Sequence, residues 1–119
     1  MKVSVITATY NSGTTLRDTL ESVLAQTYPD IEHIVVDGGS TDNTMELVRE
    51  YEPRYNGRLR YVSEPDKGIY DAMNKGIGMA TGEVIGILNS DDFYTSADTV
   101  ETLIGELERL KVDAVFGDI

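Results

Sequence analysis

The sequence contains no cysteine, has only 10 basic residues against 21 acidic ones, and holds no apolar run of membrane-spanning length. Each shortage removes a class of function. Without cysteine there is no disulfide framework and no thiolate chemistry, which fits a reducing, cytoplasmic compartment. A formal net charge of −11 argues against nucleic acid as a partner, because binding a phosphate backbone requires a basic face. Small phosphorylated ligands remain open, since a bound cation inverts the local sign. The N-terminus is apolar only as far as Ile6, too short for a signal peptide. Familiar phosphate-binding loops are also missing. Ala8-Thr9-Tyr10-Asn11-Ser12-Gly13 offers one glycine where a dinucleotide-binding turn needs Gly-x-Gly-x-x-Gly, and there is no Gly-Lys-Ser/Thr. A phospho-accepting signalling domain would place acids after its first strand, where this chain has Thr and Tyr.

What is present fits one globular domain of 119 residues, with ordinary hydrophobic (40%) and charged (26%) fractions. Val3 to Tyr10 has the β-branched pattern of a first strand. Leu16, Leu20, Val23 and Leu24 form the apolar stripe of a helix ending near Thr27, before Pro29. Ile34-Val35-Val36 is a short buried strand closed by Asp37-Gly38-Gly39. Ser40, Thr41 or Asp42 caps a second helix whose Met45, Val48 and Tyr51 face inward and which Pro53 ends or bends. Leu59 to Val62 is a third strand. Ile69 to Ala80 is a helix with Met73, Gly76, Ile77 and Ala80 on one face, weakened by Gly76 and Gly78. Val84 to Leu88 is a fourth strand. Ser96 caps a last helix whose face is Val100, Leu103, Ile104, Leu107 and Leu110, and Val112–Phe116 is a final strand. This β-α-β-α-β-α-β-α-β order implies an α/β fold: a Rossmann-like, mostly parallel sheet of about five strands, flanked by helices on both faces.

Such sheets bind ligands at the carboxyl ends of their strands. That rim collects Thr7 to Tyr10, Asp37 to Ser40, Ser63 to Lys67 and Asn89 to Asp92. The adjacent carboxylates of Asp91 and Asp92 repel one another unless a cation sits beside them. A divalent metal carrying a phosphorylated substrate would substitute for the missing glycine-rich loop. By themselves Asp91-Asp92 could cap a loop, and Asp37-Gly38-Gly39-Ser40 is by composition a turn and helix cap. His33, between Glu32 and Ile34, lies off the rim and takes a structural or solvent-facing place. Tyr51, Tyr55 and Tyr61 pack near the core, while Tyr70 borders the expected pocket.

Four blocks in order carry a more specific signal: Thr7-Ala8-Thr9-Tyr10-Asn11, Val36-Asp37-Gly38-Gly39-Ser40-Thr41-Asp42, Asp66-Lys67-Gly68-Ile69-Tyr70-Asp71-Ala72-Met73-Asn74-Lys75-Gly76, and Leu88-Asn89-Ser90-Asp91-Asp92. Together they resemble the family 2 glycosyltransferases of GT-A fold over the whole chain, with a finer likeness to bacterial surface-polysaccharide enzymes. The resemblance implies a metal-dependent inverting transferase with a nucleotide-diphosphate-sugar donor, UDP-linked, and Mn²⁺ or Mg²⁺ as cofactor. It implies that Thr7, Ala8 and Tyr10 line the uridine pocket and that Asp37 accepts a hydrogen bond from the base. Asp91 would approach the ribose or the metal, Asp92 would ligate the metal, and Lys67 and Lys75 would approach the nucleotide.

The chain departs from the pattern at Asn89, where many relatives carry another acid, which leaves one carboxylate fewer. No catalytic base is assigned. In this family it lies downstream of the last strand, so the expectation is a donor-binding domain, 1–119, truncated before the acceptor-binding part and inactive by itself. The acceptor of a full-length enzyme would be a saccharide or a lipid-linked glycan, reached by peripheral association with the inner membrane face. A sheet edge left unpaired would favour homo-oligomers. Two other readings differ in class. One is a domain that binds nucleotide and metal without turnover. The other is a nucleotidyltransferase, which would want a Gly-rich, Arg-containing loop where Asn11-Ser12-Gly13-Thr14 stands.

Overall fold

The computed structural model describes residues 1–110 and the backbone of 115–116. Its elements run β1 (Val3–Thr9), α1 (Leu16–Leu24), β2 (Ile31–Asp37), α2 (Thr44–Tyr51), a 3₁₀ turn (Glu52–Tyr55), β3 (Leu59–Ser63), α3 (Ile69–Met79), β4 (Val84–Ile87), α4 (Thr99–Leu110) and β5 (Val115–Phe116). The expected final strand is present at Val115–Phe116, and its residues 112–114 lie outside the described residues. All pairings are parallel, and the strand order is β3-β2-β1-β4-β5. The order runs outward from the centre in both directions, so it reverses between β1 and β4. In doubly wound sheets that reversal opens a crevice beyond the carboxyl ends of the two strands.

Alternation along each strand divides the core in two. Val3 and Val5 of β1, with Ile31 and Val35 of β2, pack against Leu16, Leu20 and Val23 of α1, Met45, Leu47 and Val48 of α2, and Val100, Ile104 and Leu107 of α4. Ile6, Ile34 and Val36 pack on the other face against Ala72 of α3. Gly76 lets α3 approach closely: a Cβ there would stand 2.5 Å from Ile6 Cγ2. The buried residues of α3 are therefore Ala72 and Gly76, and Ile77, expected on the inner face, is exposed.

Other boundaries differ for physical reasons. β2 begins at Ile31 rather than Ile34 because Glu32 and His33 are buried with partners. Polar residues disguise the start of a central strand. α2 ends at Tyr51, and Pro53 sits in the first turn of the 3₁₀ segment, where its missing N–H costs nothing. α4 begins at Thr99, so Ser96 lies three residues upstream instead of capping. The N–H of Val100 is met instead by Gln26 Oε1 at 3.0 Å, which ties α4 to the end of α1. No helix among the described residues is long and apolar enough to cross a membrane.

Candidate functional site

Four loops leave the carboxyl ends of β1 to β4, and side chains stitch three of them together. Asn11 adopts a left-handed conformation, φ 49°, one of the few residue types that tolerates it. Its Oδ1 accepts from the N–H of Thr41 at 2.8 Å, and its own N–H donates to Ser40 Oγ at 2.8 Å. Asp42 accepts from the N–H groups of Gly13 and Thr44, each at 3.0 Å. Its carboxyl is held below the usual range chiefly by the Thr44 hydroxyl, against an opposing effect of desolvation. Ser12 Oγ meets Ser90 Oγ at 2.9 Å, joining the β1 loop to the acidic loop. From beneath, the buried hydroxyl of Thr19 on α1 donates to the carbonyls of Ser90 (3.1 Å) and Asp92 (2.5 Å).

The stitched loops frame a cleft in two parts. One part is lined by Ala8, Thr9, Tyr10, Asp66, Gly68, Ile69 and Ala72. The other, over the β1/β4 crevice, is lined by Ala8, Asn11, Ser12, Thr14, Thr15, Ile69, Asn89, Ser90 and Asp91. Ala8 and Ile69 belong to both, so the two are continuous. Tyr10 is 61% exposed and presents its ring at the edge. The Thr9 hydroxyl is buried and has no partner among the described residues.

The acidic pair stands at the end of β4, both carboxylates exposed. Asn89 Nδ2 donates to Asp92 Oδ2 at 3.4 Å. The amide thus steadies Asp92 at a position where a third acid would repel it. Among the described residues no three His, Cys, Asp or Glu side chains form a ligand cluster. Two neighbouring carboxylates still suit Mg²⁺ or Mn²⁺, which take one or two carboxylates and complete the shell with phosphate oxygens and water.

Ala8, Tyr10 and Asp91 thus reach the cleft, with Asp92 exposed beside it. Other candidates do not. Thr7 is fully buried, its Oγ1 2.8 Å from His33 Nε2, so its side chain belongs to the interior rather than to a uridine pocket. Asp37 is also fully buried. Its Oδ2 accepts from the N–H groups of Gly39 (3.1 Å) and Ser40 (2.8 Å) and from Ser63 Oγ (2.7 Å), while Oδ1 accepts from Ser40 Oγ. Three donors meet Oδ2 and one meets Oδ1, and because the side chain is fully buried the carboxylate organises its own turn rather than facing the cleft. Lys75 is drawn to Glu64 (3.1 Å), Asp71 (3.6 Å) and the Pro65 carbonyl. Partial burial lowers its pKa, but Glu64 and Asp71 outweigh that and raise it overall. Lys67 is exposed, with its backbone N–H on Asp71 Oδ2 at 3.0 Å. Tyr70 is 80% exposed and outside both parts of the cleft.

Sequence reasoning passed over Thr19, Asn11 and Asp66. A threonine on the buried stripe of α1, three residues after Leu16, was a readable sign of a polar tether. Asp66 gave only the local sign of a turn, since its Oδ1 accepts from the N–H of Gly68, and its place beside Gly38 of another loop has no mark in the sequence.

The geometry agrees with known proteins. The family model described as glycosyl transferase family 2 matches residues 4–119. A PGL/p-HBAD biosynthesis glycosyltransferase of Mycobacterium bovis is 40% identical over 98% of this chain, which spans about half (46%) of that relative's length. Staphylococcus aureus TarS 1–349 in complex with UDP-GlcNAc superimposes with a TM-score of 0.82 and 30% identity, over 92% of this chain and 32% of that one. A mannosyltransferase of Pyrobaculum calidifontis, in complex with GDP-Man and Mn²⁺, gives a TM-score of 0.83 at 32% identity, over 89% of this chain and 32% of its own. The α/β sheet is thus that of GT-A glycosyltransferases, and the chain belongs to glycosyl transferase family 2.

Proposed function

We propose that this chain is the donor-binding domain of a metal-dependent, inverting glycosyltransferase that uses a UDP-sugar. The observation that carries the proposal is the exposed Asp91–Asp92 pair at the end of β4, beside the cleft at the β1/β4 reversal. The complexes of UDP-GlcNAc and of GDP-Man with Mn²⁺ in structural neighbours support the ligand class.

Ala8 and Ile69 form an apolar floor against which a nucleoside lies, and the Tyr10 ring offers a stacking face for the base. Asp92, steadied by Asn89, and Asp91 would hold the divalent ion. When bound, that ion supplies positive charge that offsets the diphosphate and favours its departure. The stitched loops fix these groups before donor arrives, so little ordering cost falls on binding. In a full-length enzyme the acceptor would be a saccharide or lipid-linked glycan, delivered to the open side of the cleft. Its deprotonation is the task of a general base that none of the described rim residues supplies.

Calorimetry with UDP, with and without Mn²⁺, tests the reading on wild-type chain and on Asp92→Ala. Expected are Mn²⁺-dependent binding and a loss of about 10- to 100-fold in the variant, the scale for disturbing a metal site. Equal binding without metal, or without Asp92, overturns it.

A further inference from the structure

With the carboxylate of Asp37 consumed by its turn, the acceptor that selects the base must come from elsewhere. The cleft part under Tyr10 has one carboxylate on its wall, Asp66, from the loop after β3. It stands against Gly38: a Cβ built on Gly38 would lie 3.0 Å from Asp66 Oδ2, 3.3 Å from its Cγ and 3.4 Å from Oδ1. Those separations are at the lower limit for a Cβ, so any side chain at position 38 would push the Asp66 carboxylate aside. Gly38 therefore does more than turn the chain. It clears the ground on which a carboxylate from another loop stands.

The orientation of Asp66 is set locally. Oδ1 accepts from the N–H of Gly68 at 3.1 Å, which lies at the head of α3 in a left-handed conformation, φ 112°. No hydrogen bond from the described residues reaches Oδ2. An aromatic face (Tyr10), an apolar floor (Ala8, Ala72) and one open carboxylate oxygen make a pocket for a planar heterocycle that presents an N–H.

We infer that Asp66, seated in the space Gly38 leaves, is the residue that selects the donor's base, and that the base is uracil. This rests on the donor-site reading above. A carboxylate oxygen can only accept, so it matches the single imide N3–H of uracil. It repels cytosine, whose N3 is a lone pair and which has no ring N–H. Because Oδ1 is committed to Gly68, one oxygen remains for the base, which suits one imide donor better than the paired N–H groups of guanine.

The test compares UDP, CDP and GDP by calorimetry with Mn²⁺, on wild type, Asp66→Ala and Asp66→Asn, with thermal melting to confirm folding. The Asn variant keeps an acceptor for Gly68 but also offers an N–H to cytosine. Wild type should favour UDP over CDP by about tenfold or more, the scale of one hydrogen bond to a charged group. Asp66→Ala should bring the two within about threefold by weakening UDP. Asp66→Asn should shrink the ratio by strengthening CDP. Gly38→Asp/Asp66→Ala, which moves the carboxylate to the adjacent loop, should recover part of the preference. If wild type is selective and both Asp66 variants stay equally selective, this inference falls and the donor-site reading stands. Stronger wild-type binding of GDP than UDP overturns the assignment to uracil. If wild type binds no nucleoside diphosphate, the donor-site reading falls and this inference with it.

Discussion

Glu32 sits at the amino end of the sheet and the Asp91–Asp92 pair at its carboxyl end, and the fold treats the same chemical group in opposite ways at the two places. Glu32 is 3% exposed. Its Oε2 accepts from Ser4 Oγ (2.6 Å) and from the N–H (2.7 Å) and hydroxyl (2.9 Å) of Thr81, while Oε1 lies 3.3 Å from Arg60 Nη1 and 3.7 Å from Lys2 Nζ. Burial raises its pKa, but the hydrogen bonds together outweigh burial and bring it down to about 2. Asp91 and Asp92 stand exposed and adjacent, with one long contact from Asn89. A saturated carboxylate is part of the scaffold, whereas an unsaturated pair has capacity left for a ligand. Acidity alone does not separate the two uses, and donor count does.

The largest contrast should come from exchanging the two losses. Glu32→Ala leaves buried hydroxyl and amide donors without their acceptor and should cost about 3 kcal/mol of stability, with Mn²⁺–UDP affinity unchanged in the fraction still folded. Asp91→Asn/Asp92→Asn removes a like-charge repulsion and should leave the melting temperature unchanged or higher, while abolishing Mn²⁺-dependent UDP binding. Urea titration with calorimetry on both variants checks this. A double variant that melts early would make the acidic loop a structural element after all.

The pH profile sharpens the contrast within the scaffold itself. His33, the chain's one histidine, is fully buried, and burial lowers its pKa to about 3. Tyr55 donates its hydroxyl proton to the Leu20 carbonyl at 2.7 Å. The tyrosine oxygen therefore accepts from Nδ1–H of His33 (3.1 Å), leaving Nε2 to accept from Thr7. The ring is neutral in the fold and protonates on unfolding, so its contribution is complete above pH 6.5 and is lost as pH falls toward about 3. Glu32, lowered from 4.5 to about 2, contributes fully above pH 4.5 and loses its share only between there and about 2. Stability should therefore fall by about 1.4 kcal/mol per unit from pH 6.5 to 4.5 through His33, and more steeply below. His33→Gln should flatten the upper segment and leave the lower slope, as read by urea unfolding at stepped pH.

These same residues explain what the sequence could and could not disclose. β1, β3, β4 and the stripes of α1 and α4 are legible because burial on a strand or helix face imposes a period on apolar residues. The front of β2 is not, since Glu32 and His33 break that period and their partners are scattered over β1, β3 and the segments around them. A carboxylate at the end of a strand has one appearance in sequence whether it points at a ligand or back into its turn. At Asp37 the hydroxyls of Ser40 and Ser63 decide for the turn, and the second of these comes from a neighbouring strand. Asp66 is the converse case, an acid in an ordinary loop whose placement depends on the lack of a side chain at Gly38.

The smallest expected effect concerns the joint between the two regions. Thr19 belongs to the packed stripe of α1, yet its hydroxyl ends on the carbonyls of Ser90 and Asp92, so it couples the core to the acidic loop. Thr19→Val keeps shape and burial and removes only the donor. The stability loss should be about 1 kcal/mol, the net worth of a buried hydrogen bond. Mn²⁺–UDP affinity should fall about three- to tenfold, less than for Asp92→Ala, because the carboxylates remain but their backbone is no longer tethered. Thr19→Ser, which restores the donor, should recover affinity even where it leaves a small packing defect. The alternative holder of the loop is its own turn, the Asp92 N–H on the Asn89 carbonyl at 3.0 Å. If Thr19→Val lowers stability without touching affinity, that turn is sufficient and the site is preorganised from within its loop. If affinity falls and serine restores it, the exposed acids owe their position to the same core that keeps Glu32 and His33 buried.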